Sequence, residues 1–105
     1  MQEISAKEAA ELLSRNPEST LLLDVREPAE LAAAAVADAL HIPMGEIPAR
    51  LHELNRDKTI VCMCHLGGRS AQVAAFLASQ GFADVINLAG GIEAWADDVD
   101  PGVRR

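Results

Sequence analysis

The residues best suited to chemistry stand together in one short segment. Cys64 follows an apolar run, 59–63, that predicts a buried strand, and it precedes an amphipathic pattern at 69–80 that predicts a helix. The loop between them contains Gly67 and Gly68, which let the backbone curl without Cβ clashes. A curled loop that runs into a helix start points successive N–H groups inward, and such a cradle binds anions.

A cysteine in an anion cradle is expected to be reactive. The cradle favours the thiolate, so we expect the pKa of Cys64 to fall and its sulfur to act as a nucleophile. Arg69 adds a positive charge at the rim, which suits an oxyanion substrate. Plain packing is the competing interpretation, because cysteine is among the residues most often buried. The glycines, arginine and serine at 67–70 have no packing purpose, which favours attack on an anion or an electrophilic sulfur.

The second cysteine, Cys62, lies two residues before Cys64, so on a strand both side chains point to one face. A resolving role would require a strained disulfide at this spacing, and a small buried hydrophobic role fits better. A zinc site built from Cys62, Cys64 and His65 lacks a fourth ligand, since the chain has only these two cysteines. We therefore predict no metal.

The rest of the chain alternates strand and helix patterns. Ser5 and Glu8 form a predicted capping box at the first helix. The alternation predicts a three-layer α/β/α fold with a five-stranded, mainly parallel sheet, whose binding crevice lies at the carboxyl ends of the strands. Strands are predicted at 4–5, 20–25, 40–42, 59–63 and 85–88, and helices at 6–13, 27–33, 45–54, 69–80 and 92–96.

Length and charge limit the number of domains and the kinds of partner that the protein can have. With 105 residues the chain holds one domain, predicted over residues 1–97 and followed by a polar C-terminal tail, 98–105. The net charge of −7 argues against nucleic acid or an anionic membrane as partner. The start of the chain has no signal-peptide pattern and no apolar run has membrane length, so we expect a cytoplasmic protein with reduced thiols.

Three segments resemble the motifs of one family. Residues 64–70, with the sequence CHLGGRS, resemble the active-site loop of rhodanese-like sulfurtransferases. Residues 23–31 are similar to the first motif of that family and residues 87–95 to its closing motif, in family order and at family spacing. The resemblance implies an α/β/α fold with a five-stranded parallel sheet. It also implies a double displacement, in which Cys64 takes sulfur from a donor such as thiosulfate, becomes a persulfide and passes the sulfur on.

The resemblance also implies roles for individual residues. Asp24 and Arg26 would brace the loop through an ion pair, although a plain structural salt bridge is equally consistent. Independently of the resemblance, the position of Ser70 at the helix start predicts a structural role in which it bonds backbone. Arg69 would orient the oxyanion of the donor. The donor and the persulfide would be held by the loop residues His65, Leu66, Gly67, Gly68 and Arg69. For His65 a solvated loop side chain is an equal alternative.

Covalent transfer implies no metal or organic cofactor. The implied partners are a small anionic sulfur donor such as thiosulfate, and cyanide, a thiol or a protein as acceptor. A persulfide carrier that serves a protein partner is the alternative, and a catalytically silent regulatory domain is disfavoured because Cys64 is intact. Cysteine phosphatases carry five residues between cysteine and arginine, whereas four stand here. The smaller loop suits one sulfur atom better than a phosphate group.

One segment departs from the family pattern. Residues 34–39 are Ala-Ala-Val-Ala-Asp-Ala, where the family usually has Gly-His-Ile-Pro-Gly-Ala. Without those glycines we expect more helix in this segment. His41 and His52 have no partner motif and are expected at the surface, and Trp95 is expected to cover the core.

Overall fold

Strands and helices alternate along the chain as predicted. The computed structural model describes residues 2–103. Within that range the strands are β1 (Gln2–Ile4), β2 (Thr20–Asp24), β3 (Leu40–His41), β4 (Thr59–Met63) and β5 (Val85–Leu88). The α-helices are α1 (Ala6–Arg15), α2 (Pro28–Ala33), α3 (Gly68–Ser79) and α4 (Gly91–Asp98), and short 3₁₀ helices cover Met44–Glu46, Pro48–Glu53 and Pro101–Val103.

The strands form one parallel sheet in the order β1-β5-β4-β2-β3. β4 occupies the centre, with Cys62 opposite Leu23 of β2 and opposite Asn87 of β5. Because the strands are parallel, their carboxyl ends meet at one edge of the sheet, and Cys64 follows β4 at the middle of that edge. The five-stranded parallel sheet is confirmed.

Two apolar clusters hold the helices against opposite faces of the sheet. Successive residues of β4 alternate between them, since side chains of a strand point to opposite faces: Ile60 and Cys62 belong to one cluster, Val61 and Met63 to the other. The first cluster receives α3, and the second receives α1 and α4 together with Trp95. The three-layer α/β/α architecture is therefore confirmed.

The first helix begins where the capping pattern predicts. The Ser5 hydroxyl accepts a hydrogen bond from the Glu8 amide at 3.1 Å, and the Glu8 carboxylate accepts one from the Ser5 amide at 2.9 Å. Both contacts satisfy amides that a helix start leaves without partners. The helix continues to Arg15, one half-turn beyond the predicted end at residue 13.

The predicted helix at 45–54 is wrong in type. The segment contains two short 3₁₀ helices, and Arg50 has non-helical angles, φ −118° and ψ 19°. Pro48 explains the interruption, because it has no amide proton to donate and its ring clashes with the preceding turn of an α-helix.

The expectation of extra helix at 34–39 is also wrong. α2 ends at Ala33, and the segment continues as a turn in which Asp38 has a φ of 68°. Asp38 stands at the fifth position of the departing hexapeptide, where the family pattern has glycine. Aspartate tolerates the left-handed region better than most residues. The turn is therefore formed without its glycine.

The chain remains packed on the domain beyond the predicted boundary at residue 97. α4 extends through Asp98, and both Val99 and Val103 contact the second apolar cluster. The part of the predicted tail at 104–105 lies outside the described residues, as does Met1. No helix within residues 2–103 is long and apolar enough to cross a membrane.

Candidate active site

Cys64 lies at the floor of the loop that joins β4 to α3. Its relative exposure is 1%, so only a group that enters the ring of loop atoms can reach the sulfur. The Gly67 amide donates to Cys64 Sγ at 3.0 Å, and the Ser70 hydroxyl lies 3.3 Å from it. Gly67 caps α3 with a φ of 115°, which favours glycine and turns the chain sharply into the helix.

Two carbonyl groups of the same loop, those of Cys64 and His65, accept hydrogen bonds from the start of α4. The Ile92 amide donates to the Cys64 carbonyl at 2.8 Å, and the Glu93 amide donates to the His65 carbonyl at 3.3 Å. Gly91 makes this approach possible, since a Cβ atom there would overlap both carbonyl oxygens. Because these two carbonyls are bound to α4, it is the amides of the loop that contact the Cys64 sulfur. This role of Gly91 was not predicted from the sequence, although the Gly-Gly pair before a helix was the available signal.

The surroundings of Cys64 favour its thiolate. Burial by itself raises the pKa of Cys64, but hydrogen bonds from the Ser70 hydroxyl and from the amides of Ser70, Gly67 and Leu66 outweigh it. The net direction is a lowered pKa, as the sequence analysis expects. The start of α3 adds the positive end of a helix dipole on the same side.

Cys62 has the opposite character. It is completely buried in the first apolar cluster, and burial together with the negative charge of Cys64 raises the pKa of Cys62 to about 12. Both cysteines are free thiols. A small buried side chain describes Cys62 better than a resolving thiol.

Arg69 has a partner that the sequence analysis missed. Its guanidinium forms two hydrogen bonds with the Glu30 carboxylate, at 2.7 and 2.8 Å, across 39 residues of sequence. The Arg69 hydrogen bond lowers the pKa of Glu30 to about 2, so the pair is ionised at neutral pH. Both side chains are about one-third exposed. Arg69 therefore stands at the rim with its charge largely offset, and it is not a free cation.

The predicted Asp24–Arg26 ion pair exists, but it acts at a different place. The two side chains are buried and meet at 2.8 Å. Arg26 also donates to the carbonyls of Ala34 at 2.9 Å and Glu30 at 3.4 Å, which lie at the end of α2. The pair thus fixes α2, and α2 carries the Glu30 that holds Arg69. Its support of the loop is indirect.

His65 and Leu66 occupy the outer side of the loop. His65 Nε2 lies 2.9 Å from a carboxylate oxygen of Glu93, and both side chains are about half exposed. Leu66 is 65% exposed, although it is a large apolar side chain two residues from the Cys64 thiol. Its side chain points to solvent while its amide contacts the sulfur.

The other two histidines differ from each other. The expectation that His41 is a surface residue is wrong: it is half-buried, and its Nε2 lies 2.6 Å from the Arg26 carbonyl oxygen. His52 is exposed as expected. Within residues 2–103 no three His, Cys, Asp or Glu side chains are grouped as metal ligands.

Ser70 does more than bond backbone at the helix start. Its hydroxyl lies 3.3 Å from the Gly67 carbonyl, as expected, but also 3.3 Å from Cys64 Sγ and 2.6 Å from Asn87 Oδ1. Asn87 in turn donates to the Glu3 carboxylate at 2.8 Å. Neither Asn87 nor Glu3 was a predicted site residue.

Known proteins resemble this chain in both sequence and fold. The family model described as "Rhodanese-like domain" matches residues 5–98. A sulfurtransferase of Allochromatium vinosum is 43% identical over 96 residues, which is 91% of this chain and 89% of the relative. A thiosulfate sulfurtransferase of Pseudomonas syringae is 35% identical and covers 74% of both chains.

Two further relatives extend the comparison. YrkF of Bacillus subtilis, whose name describes a candidate sulfur carrier protein, is 42% identical over 78 residues, which is 74% of this chain and 42% of the relative. A rhodanese-like domain protein from Staphylococcus aureus superposes with a TM-score of 0.84 at 32% identity, covering 94% of this chain and 95% of that one. The three motifs, the sheet order and these relatives agree that the chain belongs to the rhodanese-like family of sulfurtransferases.

Proposed function

We propose that the protein moves sulfane sulfur from a small anionic donor such as thiosulfate to cyanide or a thiol, through a persulfide on Cys64. The observation that carries the proposal is the ring of donors around Cys64 Sγ, which lowers the pKa of that thiol. Thiolate is the nucleophilic form of cysteine, and the same donors stabilise any later negative charge on sulfur.

The first half-reaction loads the enzyme. The Cys64 thiolate attacks the outer sulfur of thiosulfate, a new S–S bond forms, and the S–S bond of the donor breaks as sulfite leaves with the electron pair. The persulfide that remains is anionic at its outer sulfur. The amides of Leu66, Gly67 and Ser70 point into the cradle and supply donors for that charge.

The second half-reaction transfers the outer persulfide sulfur to the acceptor. The acceptor, cyanide or a thiolate, attacks the outer persulfide sulfur, and Cys64 leaves as a thiolate with the electron pair of the broken S–S bond. Cyanide becomes thiocyanate and a thiol becomes a persulfide. Sulfur is carried covalently throughout, so the proposal requires no metal and no organic cofactor. A compartment with reduced thiols, such as the cytoplasm, keeps Cys64 available.

The geometry supports sulfur transfer over phosphoryl transfer. A phosphatase needs a wide cradle and an arginine free to bind phosphate oxygens. Here four residues separate Cys64 from Arg69, and both terminal nitrogens of Arg69 already bind Glu30. Arg69 would therefore orient the donor through its charge at the rim rather than through a direct bidentate contact.

A second candidate function is persulfide delivery to a protein acceptor. The observation in its favour is Leu66, which exposes an apolar side chain on the loop directly beside the nucleophile. A partner that covered this side chain would remove its apolar surface from water, which favours association. The name of the Bacillus subtilis relative points in the same direction. Replacement of Leu66 by Ser tests this second candidate. If Leu66 contacts a protein acceptor, the variant should transfer sulfur to that acceptor more weakly, while its transfer to cyanide stays unchanged.

Intact mass measurement tests the proposed function directly. After exposure to thiosulfate, the wild-type protein should gain the mass of one sulfur atom, and cyanide or dithiothreitol should remove it. Cys64→Ser should gain none, because an alcohol cannot hold a persulfide. A sulfur adduct that persists in Cys64→Ser, or a wild-type protein that gains no sulfur from any donor, would contradict the proposal.

A further inference from the structure

A chain of hydrogen-bonded polar side chains connects Glu3, on the exposed edge strand of the sheet, to the buried Cys64 sulfur. The Glu3 carboxylate of β1 accepts a hydrogen bond from Asn87 Nδ2 of β5 at 2.8 Å. Asn87 Oδ1 accepts one from the Ser70 hydroxyl of α3 at 2.6 Å, and that hydroxyl lies 3.3 Å from Cys64 Sγ. Ser70 and Asn87 are completely buried. We propose that this chain sets the position of the Ser70 hydroxyl proton, with Ser70 as a catalytic residue and Asn87 and Glu3 as positioning residues.

The surrounding groups fix the orientation of the Asn87 amide. Its nitrogen faces two groups that only accept hydrogen bonds, the Glu3 carboxylate and the Gly67 carbonyl at 3.2 Å. The amide oxygen must therefore face Ser70, and Ser70 must donate to it. Within residues 2–103 no buried side-chain nitrogen or oxygen is without a hydrogen-bond partner, so the network is satisfied as it stands.

The Ser70 hydroxyl has one proton and three acceptors within reach. The Gly67 carbonyl, at 3.3 Å, already accepts hydrogen bonds from Asn87 Nδ2 and the Ala71 amide, so Asn87 Oδ1 and Cys64 Sγ are the two that compete for the proton. Asn87 Oδ1, at 2.6 Å, holds the proton while Cys64 is a thiol, and the lone pairs of Ser70 then accept from the S–H group. When Cys64 loses its proton to solvent, the Ser70 O–H group rotates from Asn87 to the sulfur and donates to the thiolate. Only the Cys64 S–H bond breaks, and the Ser70 proton stays on its oxygen.

Glu3 influences how strongly Asn87 Oδ1 competes with Cys64 Sγ for the Ser70 proton. A carboxylate that binds the amide nitrogen polarises the amide, which makes Oδ1 of Asn87 a stronger acceptor. Glu3 thereby holds the Ser70 proton away from the sulfur and keeps the pKa of Cys64 from falling further. The exposed edge strand β1 thus influences the nucleophile although Glu3 does not touch it.

Other charges also act on Cys64 through space. The titratable and charged groups on the elements around the loop are Arg69 of α3, Glu27 and Glu30 at α2, His65 of the loop, Glu93 of α4 and Cys62 of β4, of which Cys62 is neutral at pH 7. Removal of the Glu3 charge would lower the pKa of Cys64 slightly by this route as well. The test must separate the through-space effect from the hydrogen-bonded chain.

The rate of alkylation by iodoacetamide as a function of pH reports the pKa of Cys64 without any sulfur donor. Ser70→Ala should raise the pKa of Cys64 by about one unit, because one hydrogen bond to a charged sulfur is lost. Ser70→Thr retains the hydroxyl and should restore the wild-type pKa.

Glu3→Gln should lower the pKa of Cys64 by about 0.3 to 0.5 unit, a fraction of the effect of one such hydrogen bond. Glu11→Gln, an equal charge change at an exposed position of α1, is the matched control and should shift it less.

A double-mutant cycle decides between the two routes. If the hydrogen-bonded chain carries the effect, most of the pKa shift caused by Glu3→Gln is lost in the Ser70→Ala background, and only the small through-space part remains. An equal shift in both backgrounds would overturn the proposal. If Ser70→Ala does not fold, the Glu3→Gln shift is measured in about 1 M salt, which screens exposed charges but not a hydrogen-bonded chain. A shift abolished by salt would overturn the proposal.

The inference rests on the proposed function only in naming Cys64 as the nucleophile. Failure of the double-mutant cycle would leave sulfur transfer intact. Failure of the protein to accept sulfur would contradict the proposed function while the pKa shifts remained as measured. The two failures are therefore distinguishable.

Discussion

The interior of β4 at Cys62 and the loop at Cys64 offer a comparison of two cysteines within one molecule. Both belong to the same apolar cluster, and their exposures are 0% and 1%. Yet the pKa of Cys62 is raised to about 12, and that of Cys64 is lowered. The difference lies in four hydrogen bonds that converge on Cys64 from Leu66, Gly67 and Ser70. Burial alone raises the pKa of a cysteine, and the hydrogen bonds of the loop reverse that shift at Cys64.

The largest expected effect comes from exchanging each cysteine in turn. Cys64→Ser should reduce sulfur transfer to background, because the alcohol neither ionises nor forms a persulfide. Cys62→Ala should leave most turnover intact and should lower the stability by about 1 kcal/mol, since one buried sulfur is removed. Thiocyanate formation from thiosulfate and cyanide measures the first effect, and urea denaturation measures the second.

The comparison fails if Cys62 proves essential. A loss of turnover in Cys62→Ala as large as that in Cys64→Ser, with the fold retained, would revive a resolving role for Cys62. Cys62→Ser is a second check, since it should also keep most turnover although a hydroxyl in an apolar cluster costs more stability.

Local signals predicted the fold correctly where they were strong. β2 and β4 are continuous apolar runs buried on both faces, a pattern typical of central strands in a parallel sheet. The errors occurred where one residue overrode a pattern. Pro48 interrupts a helix whose apolar spacing is otherwise acceptable, and Asp38 adopts a φ that composition does not reveal.

The site was predictable only as far as it is local. Cys64 and its glycine loop are contiguous, so their chemistry could be inferred from spacing alone. The partner of Arg69 lies 39 residues away and that of Asn87 lies 84 residues away, and only the sheet order brings them together. Nothing in the sequence near Arg69 indicates that Glu30 offsets its charge.

The next largest effect should come from Gly91, which lets α4 hold the loop carbonyls. Gly91→Ala places a methyl group against the carbonyl oxygens of Cys64 and His65, so the loop must move. The loop amides would then no longer be placed to donate hydrogen bonds to the Cys64 sulfur. We expect turnover to fall about 100-fold, the cost of roughly 1 Å of misplacement at a reacting centre. Steady-state kinetics and the pH profile of Cys64 alkylation measure the change.

Gly45→Ala is the matched control, because a Cβ atom at Gly45 meets nothing within 4 Å. It should leave both turnover and the pKa of Cys64 unchanged. If Gly91→Ala also kept the low pKa of Cys64, the packing of α4 would not be what aims the amides, and the contrast with Cys62 would need another cause.

A smaller effect is expected from Arg69. Arg69→Ala should raise KM for thiosulfate about threefold and affect folding less, since the charge lost is at a partly exposed rim and is already paired. Arg50→Ala removes an arginine that is also about one-third exposed and pairs with Glu46 and Glu53, and it is the control for net charge. An unchanged KM in Arg69→Ala would show that the arginine is purely structural.

The Glu30–Arg69 pair also predicts a dependence of stability on pH. Because the pKa of Glu30 falls from 4.5 in the unfolded chain to about 2 in the fold, its contribution is fully present above pH 4.5. It is lost as the pH falls through about 2. Glu30→Gln should therefore be less stable than wild type at pH 7 and should approach it at pH 2, as measured by urea midpoints. A difference that stays constant over this range would mean that charge at Glu30 does not hold the pair.

The smallest expected effect concerns the acidic surface as a whole. The net charge of −7 opposes the approach of thiosulfate, while the loop amides attract it over a few ångströms. Salt screens the distant surface charges but acts little on donors that contact the sulfur. Turnover at low thiosulfate should therefore rise modestly, less than about twofold, as ionic strength increases from low to physiological values. A flat response would mean that the loop alone sets the field at Cys64, which would make the contrast between the two cysteines entirely local.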